Sequence, residues 1–345
     1  MISLIAIIFT FSVVIFVHEL GHFIVALKSG VHVEVFSLGF GPELIGFTLK
    51  EVRYRISAIP LGGYVKMKGE SAEDESAREP GSFMNLSPLK RIPILASGAV
   101  MNFITGAVII FFIIYTMGMT RFINEPVIGG VEDDTPAMEA GFMPGDRVLS
   151  IEGTEITTWN ELAETVRARG GEETEFTVQR DGEILQIEAV PVPESERVPG
   201  RGALGITSSV EVVRPGFFRS ILESLLYVVS VCLMLIEFLW MMFTGRMAAE
   251  VSGPLGIGKA VADAASHGIS PLFQLIALIS VQLGLLNLFP VPILDGGHIL
   301  MALIEKIKGS ALDPKKVMVA NLIGVTLLLS LLLFATWQDA LGLLK

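Results

Sequence analysis

The sequence predicts a polytopic α-helical membrane protein with about four spans, a membrane-associated β-hairpin element and one α/β module outside the membrane. Of its 345 residues, 51% are hydrophobic, and the mean hydropathy of +0.63 is too high for an ordinary soluble protein. Five stretches approach the ~20 apolar residues that a bilayer crossing requires. Residues 120–217 hold 19 acidic and 8 basic side chains, so this segment alone accounts for the net charge of −11.

The first predicted span, residues 1–27, contains the sequence His-Glu-Leu-Gly-His from His18 to His22. Histidines four residues apart share one helix face and can bind one zinc ion, and Glu19 is placed to accept a proton from water. The motif also occurs by chance, and the histidines could instead pair helices. Because ionisable groups at bilayer depth are costly and usually mark function, the pattern favours zinc-dependent peptide hydrolysis within or beside the membrane.

This span is predicted to be retained, since it has neither a basic start nor a small-residue cleavage site. The following loop, residues 28–91, alternates apolar and polar residues between Gly and Pro punctuation, which predicts short strands or hairpins from Val31 to Gly69. Apolar tips at residues 36–40 and 44–47 suggest that these strands fold against the membrane. A small independent sheet is the alternative.

The distribution of Lys and Arg predicts the orientation in the membrane. Nine basic residues in the 28–91 loop, and four more between residues 305 and 316, place both loops in the cytoplasm and the acidic segment outside. The remaining spans are then residues 92–117, 271–305 and 315–340. Residues 217–243 are apolar enough to cross, but a further crossing would leave the second basic loop on the wrong side. Residues 196–270 are therefore predicted to be an outer-face amphipathic or re-entrant region.

The acidic segment reads as a compact α/β module over residues 120–195. The pattern predicts a strand over 126–131, a short helix from Pro136, the strand Val148–Ile151, a helix over Trp159–Arg169 and two final strands at 175–180 and 184–190. The acidic balance gives no support to nucleic-acid binding. The lone Cys232 excludes a disulfide within the chain.

A catalytic zinc usually has three protein ligands and one open position, so a third ligand is expected from another span. Asp295 is the best candidate, because it follows an uncharged stretch in which Pro290 and Pro292 break the helix and free backbone groups at membrane depth. It could instead cap the helix that begins at Gly296. The other candidates are His298, Glu237, His32 and His267, and His298 is more plausible as a supporting group.

The substrate of such a site must be unwound, because the carbonyl groups of a helix are already hydrogen-bonded within it. An extended substrate favours pairing with a strand edge, which residues 31–65 could supply. Asn102 and Asn287 are amides at membrane depth that could hold substrate backbone, or could simply join helices. Pro292, in the same irregular stretch as Asn287, is a further candidate for substrate contact.

These motifs together resemble the site-2 protease family, and in particular the bacterial regulator-of-sigma-E (RseP-type) branch. The resemblance rests on His18–His22, on Asn287-Leu-Phe-Pro leading into Leu294-Asp-Gly, and on the segments 39–42, 60–66 and 252–254. It covers nearly the whole chain. Two departures are Gly98-Ala99 where members often have Gly-Pro, and one PDZ-like module where the enterobacterial branch has two.

The resemblance implies an intramembrane zinc metalloprotease of the bacterial inner membrane that acts in regulated intramembrane proteolysis. Its substrates would be single-span proteins already trimmed outside, such as anti-sigma factors, and remnant signal peptides. It implies that His18, His22 and Asp295 bind Zn²⁺, that Glu19 is the catalytic carboxylate and that Asn102 and Asn287 hold substrate. The acidic module becomes an extracytoplasmic PDZ-like domain, whose Gly129-Gly130-Val131 turn could bind a peptide carboxy terminus or be empty.

Two functions of other classes stay open at this point. An inactive PDZ-bearing scaffold could keep zinc only for structure, although a structural site has no use for Glu19. A metal transporter could also use intramembrane His and Asp, but transporters tend to contain inverted repeats, and the sequence has no evident repeat. Retention of metal without cleavage in a Glu19→Gln variant, and zinc uptake by vesicles, distinguish these classes.

Overall fold

The computed structural model describes residues 2–71, 73–193, 203–246 and 252–343. The chain divides into two compact units. Met1–Tyr115 and Gly216–Lys345 form the first, here called the helical unit, and Thr116–Pro215 form the second, here called the α/β unit.

The helical unit begins with helix α1 (Ile2–Lys28), strands β1 (Val33–Leu49) and β2 (Val52–Met67), and helix α2 (Pro88–Met117). Both helices are long and apolar enough to cross a membrane, as predicted. The two strands are far longer than the short strands expected, and they form one hairpin with several bulges. Each strand bends near its middle, so that residues 33–38 of β1 pair on one side with residues 63–67 of β2 and on the other with residues 53–56.

The hairpin packs on the C-terminal part of α1 through a shared apolar core. Phe23 and Ala26 of α1, Val33 and Phe36 of β1, and Ile94 of α2 are all buried in it. Burial of such side chains stabilises the arrangement by roughly 1.5–3 kcal/mol each. The loop 28–91 is therefore not an independent sheet: its strands are fixed to the helix that carries the His-Glu-Leu-Gly-His motif.

The α/β unit contains strands β3 (Met119–Phe122) and β4 (Ile128–Val131), helix α3 (Pro136–Ala140), strands β5 (Arg147–Ile151) and β6 (Thr154–Glu155), helix α4 (Trp159–Ala168), and strands β7 (Thr174–Arg180), β8 (Glu183–Ala189), β9 (Ile206–Ser208) and β10 (Val210–Val213). Four strands form one sheet in the order β6-β5-β7-β8, while β4 pairs with β9 and β3 with β10. Phe176 and Ile151 lie fully buried in its core.

The α/β unit extends beyond the predicted boundary at residue 195. Strands β9 and β10 return to pair with β4 and β3 near the start of the unit, so the compact unit closes only at Pro215. These two strands are short and not strictly alternating, and the sequence pattern did not reveal them. The predicted domain end, residues 194 and 195, lies outside the described residues.

The helical unit resumes with α5 (Phe217–Phe243), α6 (Pro254–Ser266), α7 (Ile269–Asn287), α8 (Asp295–Lys308) and α9 (Pro314–Leu343). Within the described residues, five helices are long and apolar enough to span a membrane, namely α1, α2, α5, α7 and α9. Much of the surface of α5 and α9 is apolar and exposed, as expected of helices that contact lipid. The chain is thus a multi-pass membrane protein.

The region predicted as amphipathic or re-entrant, residues 196–270, contains helix α5 and the separate helix α6. Residues 196–202 and 247–251 of that prediction lie outside the described residues. In the predicted third span, residues 271–305, helix α7 ends at Asn287, before the two prolines that were expected to break it. Pro290 and Pro292 lack the backbone N–H that would continue it, and the irregular segment between α7 and α8 brings the chain to Asp295.

Candidate metal centre

The two histidines of the motif lie on one face of α1, and both are buried, with 8% (His18) and 7% (His22) of their surface exposed. Their Nε2 atoms are 3.2 Å apart. The spacing of four residues produces this proximity, because side chains at positions i and i+4 stand one above the other along a helix. The helix thus presents two imidazole nitrogens to a single point.

Asp295 completes the cluster from the first turn of α8. Its Oδ2 atom lies 3.2 Å from Nε2 of His18 and 3.4 Å from Nε2 of His22. Asp295 does not cap α8. The N-cap position is Leu294, and no side chain caps the helix there. The carboxylate is turned towards the histidines instead.

The three atoms have the spacing that a tetrahedral zinc ion requires. Nitrogen and oxygen ligands about 2.0–2.1 Å from such an ion lie about 3.3 Å from one another, close to the observed 3.2–3.4 Å. Oδ2 of Asp295 is buried and has no hydrogen-bond partner, which would be costly without a cation. The donor set of two imidazoles and one carboxylate suits zinc.

Helix α2 packs directly against the two histidine rings at Gly98. A methyl group at this position would lie 2.4 Å from Nε2 of His22 and 2.6 Å from Cε1 of His18. On the facing side of α1, a methyl group at Gly21 would lie 2.3 Å from the carbonyl oxygen of Ser97. Both contacts require glycine because the two helices pack too closely for any side chain.

Helix α2 also contacts the Nδ1 atoms of both histidines. Nδ1 of His22 donates to the carbonyl oxygen of Ile94 over 2.8 Å. In the neutral ring, Nε2 of His22 then carries no proton, and its lone pair is available to a metal ion. Nδ1 of His18 lies 3.3 Å from the amide nitrogen of Asn102. Asn102 is completely buried, with 0% exposure, and its side-chain amide contacts the His18 ring rather than the solvent.

Glu19 faces the other side of the cluster, towards the hairpin. Its Oε2 atom accepts a hydrogen bond of 3.2 Å from the backbone N–H of Val65 in β2. A cavity of about 480 Å³ opens between α1, β2 and the start of α8, and Glu19, both histidines and Asp295 line it. A carboxylate beside a three-ligand metal position, in a cavity of this size, has the arrangement of a hydrolytic site.

The other residues proposed for substrate contact have different positions. Asn287 lines the cavity, and its amide nitrogen is 3.5 Å from Nε2 of His18. Pro292 does not line the cavity. Its carbonyl oxygen would lie 2.2 Å from a methyl group at Gly324 of α9, so Pro292 packs against that helix. The next residue, Ile293, lines the cavity instead.

Sequence patterns gave no signal for Ile293. It has φ of +79°, which is rare and strained for a β-branched residue. This residue belongs to the irregular segment before Asp295, and its side chain lines the cavity. Phe40 and Tyr64, from the two strands, also line it, and only the fold brings them there.

The remaining candidates for a third ligand do not join the cluster. His298 lies one turn after Asp295 and lines the cavity without belonging to the set of close ligand atoms. Glu237 is exposed on α5, and Nδ1 of His32 lies 3.7 Å from a carboxylate oxygen of Glu51. His267 contacts the backbone carbonyl of Asp263. Among the described residues, His18, His22 and Asp295 are the group that could hold a metal ion.

The α/β unit has a smaller cavity, of about 140 Å³, between α4 and β9. Trp159, Leu162 and Val166 line it from the helix, and Leu204 and Ile206 from the strand side. The expected turn at residues 129–131 is instead part of strand β4, and its edge is paired with β9. A methyl group at Gly129 would lie 2.3 Å from the carbonyl oxygen of Ser208, so β4 and β9 pack closely at this position.

Comparison with known proteins identifies relatives along almost the whole chain. The profile of peptidase family M50 matches residues 6–331. A candidate zinc metalloprotease of Brucella suis is 38% identical over 98% of this chain and 94% of its own length, and one of Clostridium acetobutylicum is 34% identical over 96% and 95%. Zinc metalloprotease RasP of Oceanobacillus iheyensis is 28% identical over 98% of this chain and 99% of its own length.

Proposed function

The chain belongs to peptidase family M50 and is a zinc metalloprotease of the site-2 type, and on that premise we propose that it cuts peptide bonds inside transmembrane segments. Its substrates are single-span membrane proteins, of the anti-sigma-factor or remnant-signal-peptide kind, and the reaction is the intramembrane step of regulated proteolysis. The observation that supports this proposal is that the motif lies within α1, a helix long and apolar enough to cross a membrane. His18 stands ~24 Å along α1 from Ile2 at 1.5 Å per residue, a distance shorter than a hydrocarbon core of about 30 Å.

In this proposal His18, His22 and Asp295 hold the zinc ion, which supplies Lewis acidity at the scissile carbonyl. The supporting observations are the three separations of 3.2–3.4 Å and the unpartnered Oδ2 of Asp295. Glu19 accepts the proton of the attacking water and then delivers it to the leaving amine. One carboxylate performs both transfers, because it stays next to the reacting atoms throughout.

The substrate strand pairs with the outer edge of β2, meaning the backbone of residues 63–67 on the side away from β1. Residues 63–67 pair with β1 on one side, and no other strand among the described residues pairs with the opposite side. The N–H groups of Val65 and Met67 both point to that side, where they contact the carboxylates of Glu19 and Glu70. An unpaired strand edge is a template for an extended peptide, and this one runs along the cavity.

Asn287 acts as a donor to the substrate backbone. It ends helix α7 and lines the cavity about one hydrogen-bond length from the cluster. Its amide, which is partly exposed, can reach a carbonyl of an extended strand. Asn102 has no such access.

We further propose four full spans, with α5 not crossing the membrane. The directions of the helices support this count. Helix α2 runs antiparallel to α1, since His22 contacts Ile94 and His18 contacts Asn102. Helix α7 runs antiparallel to α2, because Ser280 donates to the carbonyl of Asn102 and the earlier Ala277 lies at the later Gly106. Helices α1 and α7 therefore run in the same direction.

Both ends of the connection that contains α5 lie at the same end of this bundle. The ring of Phe217, at the start of α5, forms an edge-to-face contact with Tyr115 near the end of α2, with ring centroids 6.0 Å apart. Gly253 donates to Asp339 near the end of α9, and Gly258 lies against the N-terminal part of α1. If α5 crossed the membrane once, the chain would have to cross back again before Gly253 to reach the same end of the bundle. The positive-inside tendency makes this end the extracytoplasmic one.

The α/β unit, inserted between α2 and α5, is then a PDZ-like domain on the extracytoplasmic side of a bacterial inner membrane. The groove between α4 and β9 is the position for a peptide carboxy terminus, and it is apolar enough for one side chain. Alternatively, the unit acts by excluding substrates whose outer domain has not been removed. Binding of a trimmed substrate tail to the purified protein separates these two roles.

The experiment that tests the proposed function locates the cut. The purified protein in proteoliposomes is incubated with a tagged single-span substrate, and the products are analysed by mass spectrometry, with and without a zinc chelator. A zinc-dependent cut inside the span is the expected result. Cuts only in soluble flanks would reject intramembrane cleavage. Zinc uptake by the same vesicles without cleavage would favour a transporter, and zinc binding with neither activity would favour a scaffold.

A further inference from the structure

Asn102 is the polar side chain of α2 that contacts the cluster without being a candidate ligand. It is completely buried, its amide nitrogen lies 3.3 Å from Nδ1 of His18, and its Oδ1 atom has no hydrogen-bond partner. The amide nitrogen and oxygen of an asparagine are interchanged by a half-turn of the group, and chemistry decides which one faces a neighbour. The environment of His18 supplies that chemistry.

A histidine binds metal through a nitrogen that carries no proton, so the proton of a neutral ring must be on the other nitrogen. For His22 this is already fixed, because its Nδ1 faces the carbonyl oxygen of Ile94, which can only accept. For His18, an amide nitrogen opposite Nδ1 would force the proton onto Nε2. That proton would then occupy the space between His18, His22 and Asp295.

We infer that Asn102 is a positioning residue that accepts the Nδ1 proton of His18 through Oδ1 and thereby presents the Nε2 lone pair of His18 to zinc. The two histidines then have equivalent supports from one helix, a backbone carbonyl for His22 and a side-chain carbonyl for His18. The inference rests on the proposed zinc ligands but not on cleavage. It also assigns Asn102 a role that does not require contact with substrate.

Two substitutions of Asn102, by Asp and by Leu, test this assignment. Asn102→Asp keeps an acceptor opposite Nδ1 and removes the amide donor, while Asn102→Leu removes both in a similar volume. Ser280→Ala is the matched control, because Ser280 is buried beside Asn102 but contacts only its backbone carbonyl. Zinc affinity of the purified full chain is measured by competition with a chromophoric chelator, and cobalt substitution reports the ligand field by its visible spectrum.

We expect Asn102→Leu to bind zinc about 10–100-fold more weakly, which is the usual effect of removing a partner of a ligating histidine. Asn102→Asp and Ser280→Ala should bind zinc within a few-fold of the parent, with a cobalt spectrum like that of the parent. Equal affinity in Asn102→Leu and the parent would overturn the inference. So would a loss in Asn102→Asp as large as that in Asn102→Leu, because the amide would then act as a donor.

If Asn102→Leu does not fold, the comparison of Asn102→Asp with the parent decides between the same two outcomes. The zinc measurement involves no substrate, so it separates this inference from the proposed function. A protein that binds zinc as expected in every variant but cuts no single-span substrate would contradict the proposed function and leave the role of Asn102 supported.

Discussion

The backbone N–H of Val65 donates a hydrogen bond to Oε2 of Glu19 over 3.2 Å. Val65 lies on the outer edge of β2, to which we propose that the substrate strand pairs, and Glu19 is the proposed proton acceptor. A substrate strand that pairs with this edge competes for the same N–H group. Substrate binding would therefore release the carboxylate at the moment when a scissile carbonyl arrives beside it.

The outer edge of β2 can be tested with proline. Val65→Pro removes the N–H at the edge without removing a hydrogen bond to β1, and proline is tolerated on edge strands. We expect kcat/KM to fall by about tenfold or more, the effect of one backbone hydrogen bond, with zinc content unchanged. Val65→Ala, which keeps the N–H, is the control. Equal cleavage by the two variants would show that the substrate does not pair at Val65.

The glycine behind the cluster gives a second prediction. In Gly98→Ala the new methyl group would meet both histidine rings at 2.4–2.6 Å, so the rings must move and zinc must be lost or bound much more weakly. Gly258→Ala is a suitable comparison, since the nearest atom there is a flexible Ile7 methyl at 3.6 Å. Zinc per chain, measured by atomic emission, is the readout. A Gly98→Ala protein with a full complement of zinc would contradict the close packing of α2 on the site.

The assignment of Asp295 predicts the effect of its removal. Asp295→Ala deletes one of three ligands, and zinc affinity should fall by more than the roughly 10–100-fold that loss of a supporting group alone produces. Asp339→Asn, which alters a carboxylate near the end of α9 that accepts from the backbone N–H groups of Gly253 and Gly256, should leave zinc affinity unchanged. Retained affinity in Asp295→Ala would transfer the role to another residue, and His298 would be the first to examine.

The α/β unit offers a prediction about pH. The backbone amide and hydroxyl of Thr157 and the amide of Thr158 donate to the Glu161 carboxylate, which lowers the pKa of Glu161 below its usual 4.5. A lowered pKa in the folded state stabilises the unit above about pH 4.5, and this contribution disappears as the pH falls through the folded-state pKa. Glu161→Gln should therefore weaken the hydrogen-exchange protection of α4 more at pH 6 than at pH 3.

Glu164→Gln, an exposed change on the same helix, is the control and should have little effect at either pH. At the other end of the capping box, Thr158→Ala removes the side chain that accepts from the Glu161 amide and should cost about 1 kcal/mol. Equal protection of α4 in Glu161→Gln and the parent at pH 6 would contradict the capping role.

The cluster of His18, His22 and Asp295 could be predicted from the sequence because each part of it has a local cause. His18 and His22 share a face by helical periodicity alone, and Asp295 follows a proline-broken stretch that must lie in a protein cavity. The long apolar helices were predicted from length and composition. The boundaries of α7 were less certain, because a proline sets where a helix cannot continue but not where it stops.

Other features depend on contacts between distant segments, and no local pattern carries them. The burial of Asn102 follows from the close approach of α1 and α2 at Gly98, which the sequence does not reveal. Strand β9 was missed because its three residues become a strand only by pairing with β4. Ile293 adopts its strained conformation in the irregular segment between α7 and α8, whose path is not encoded in a local pattern.

The most direct test of the central claim compares the parent with Glu19→Gln. Both are purified in parallel, zinc per chain is measured, and each is incubated in proteoliposomes with the same tagged single-span substrate. Glutamine preserves the shape of Glu19 but cannot accept the proton from water, so we expect about one zinc in each protein and cleavage inside the span by the parent alone. Equal cleavage by Glu19→Gln would contradict the account, because the activity would not depend on Glu19.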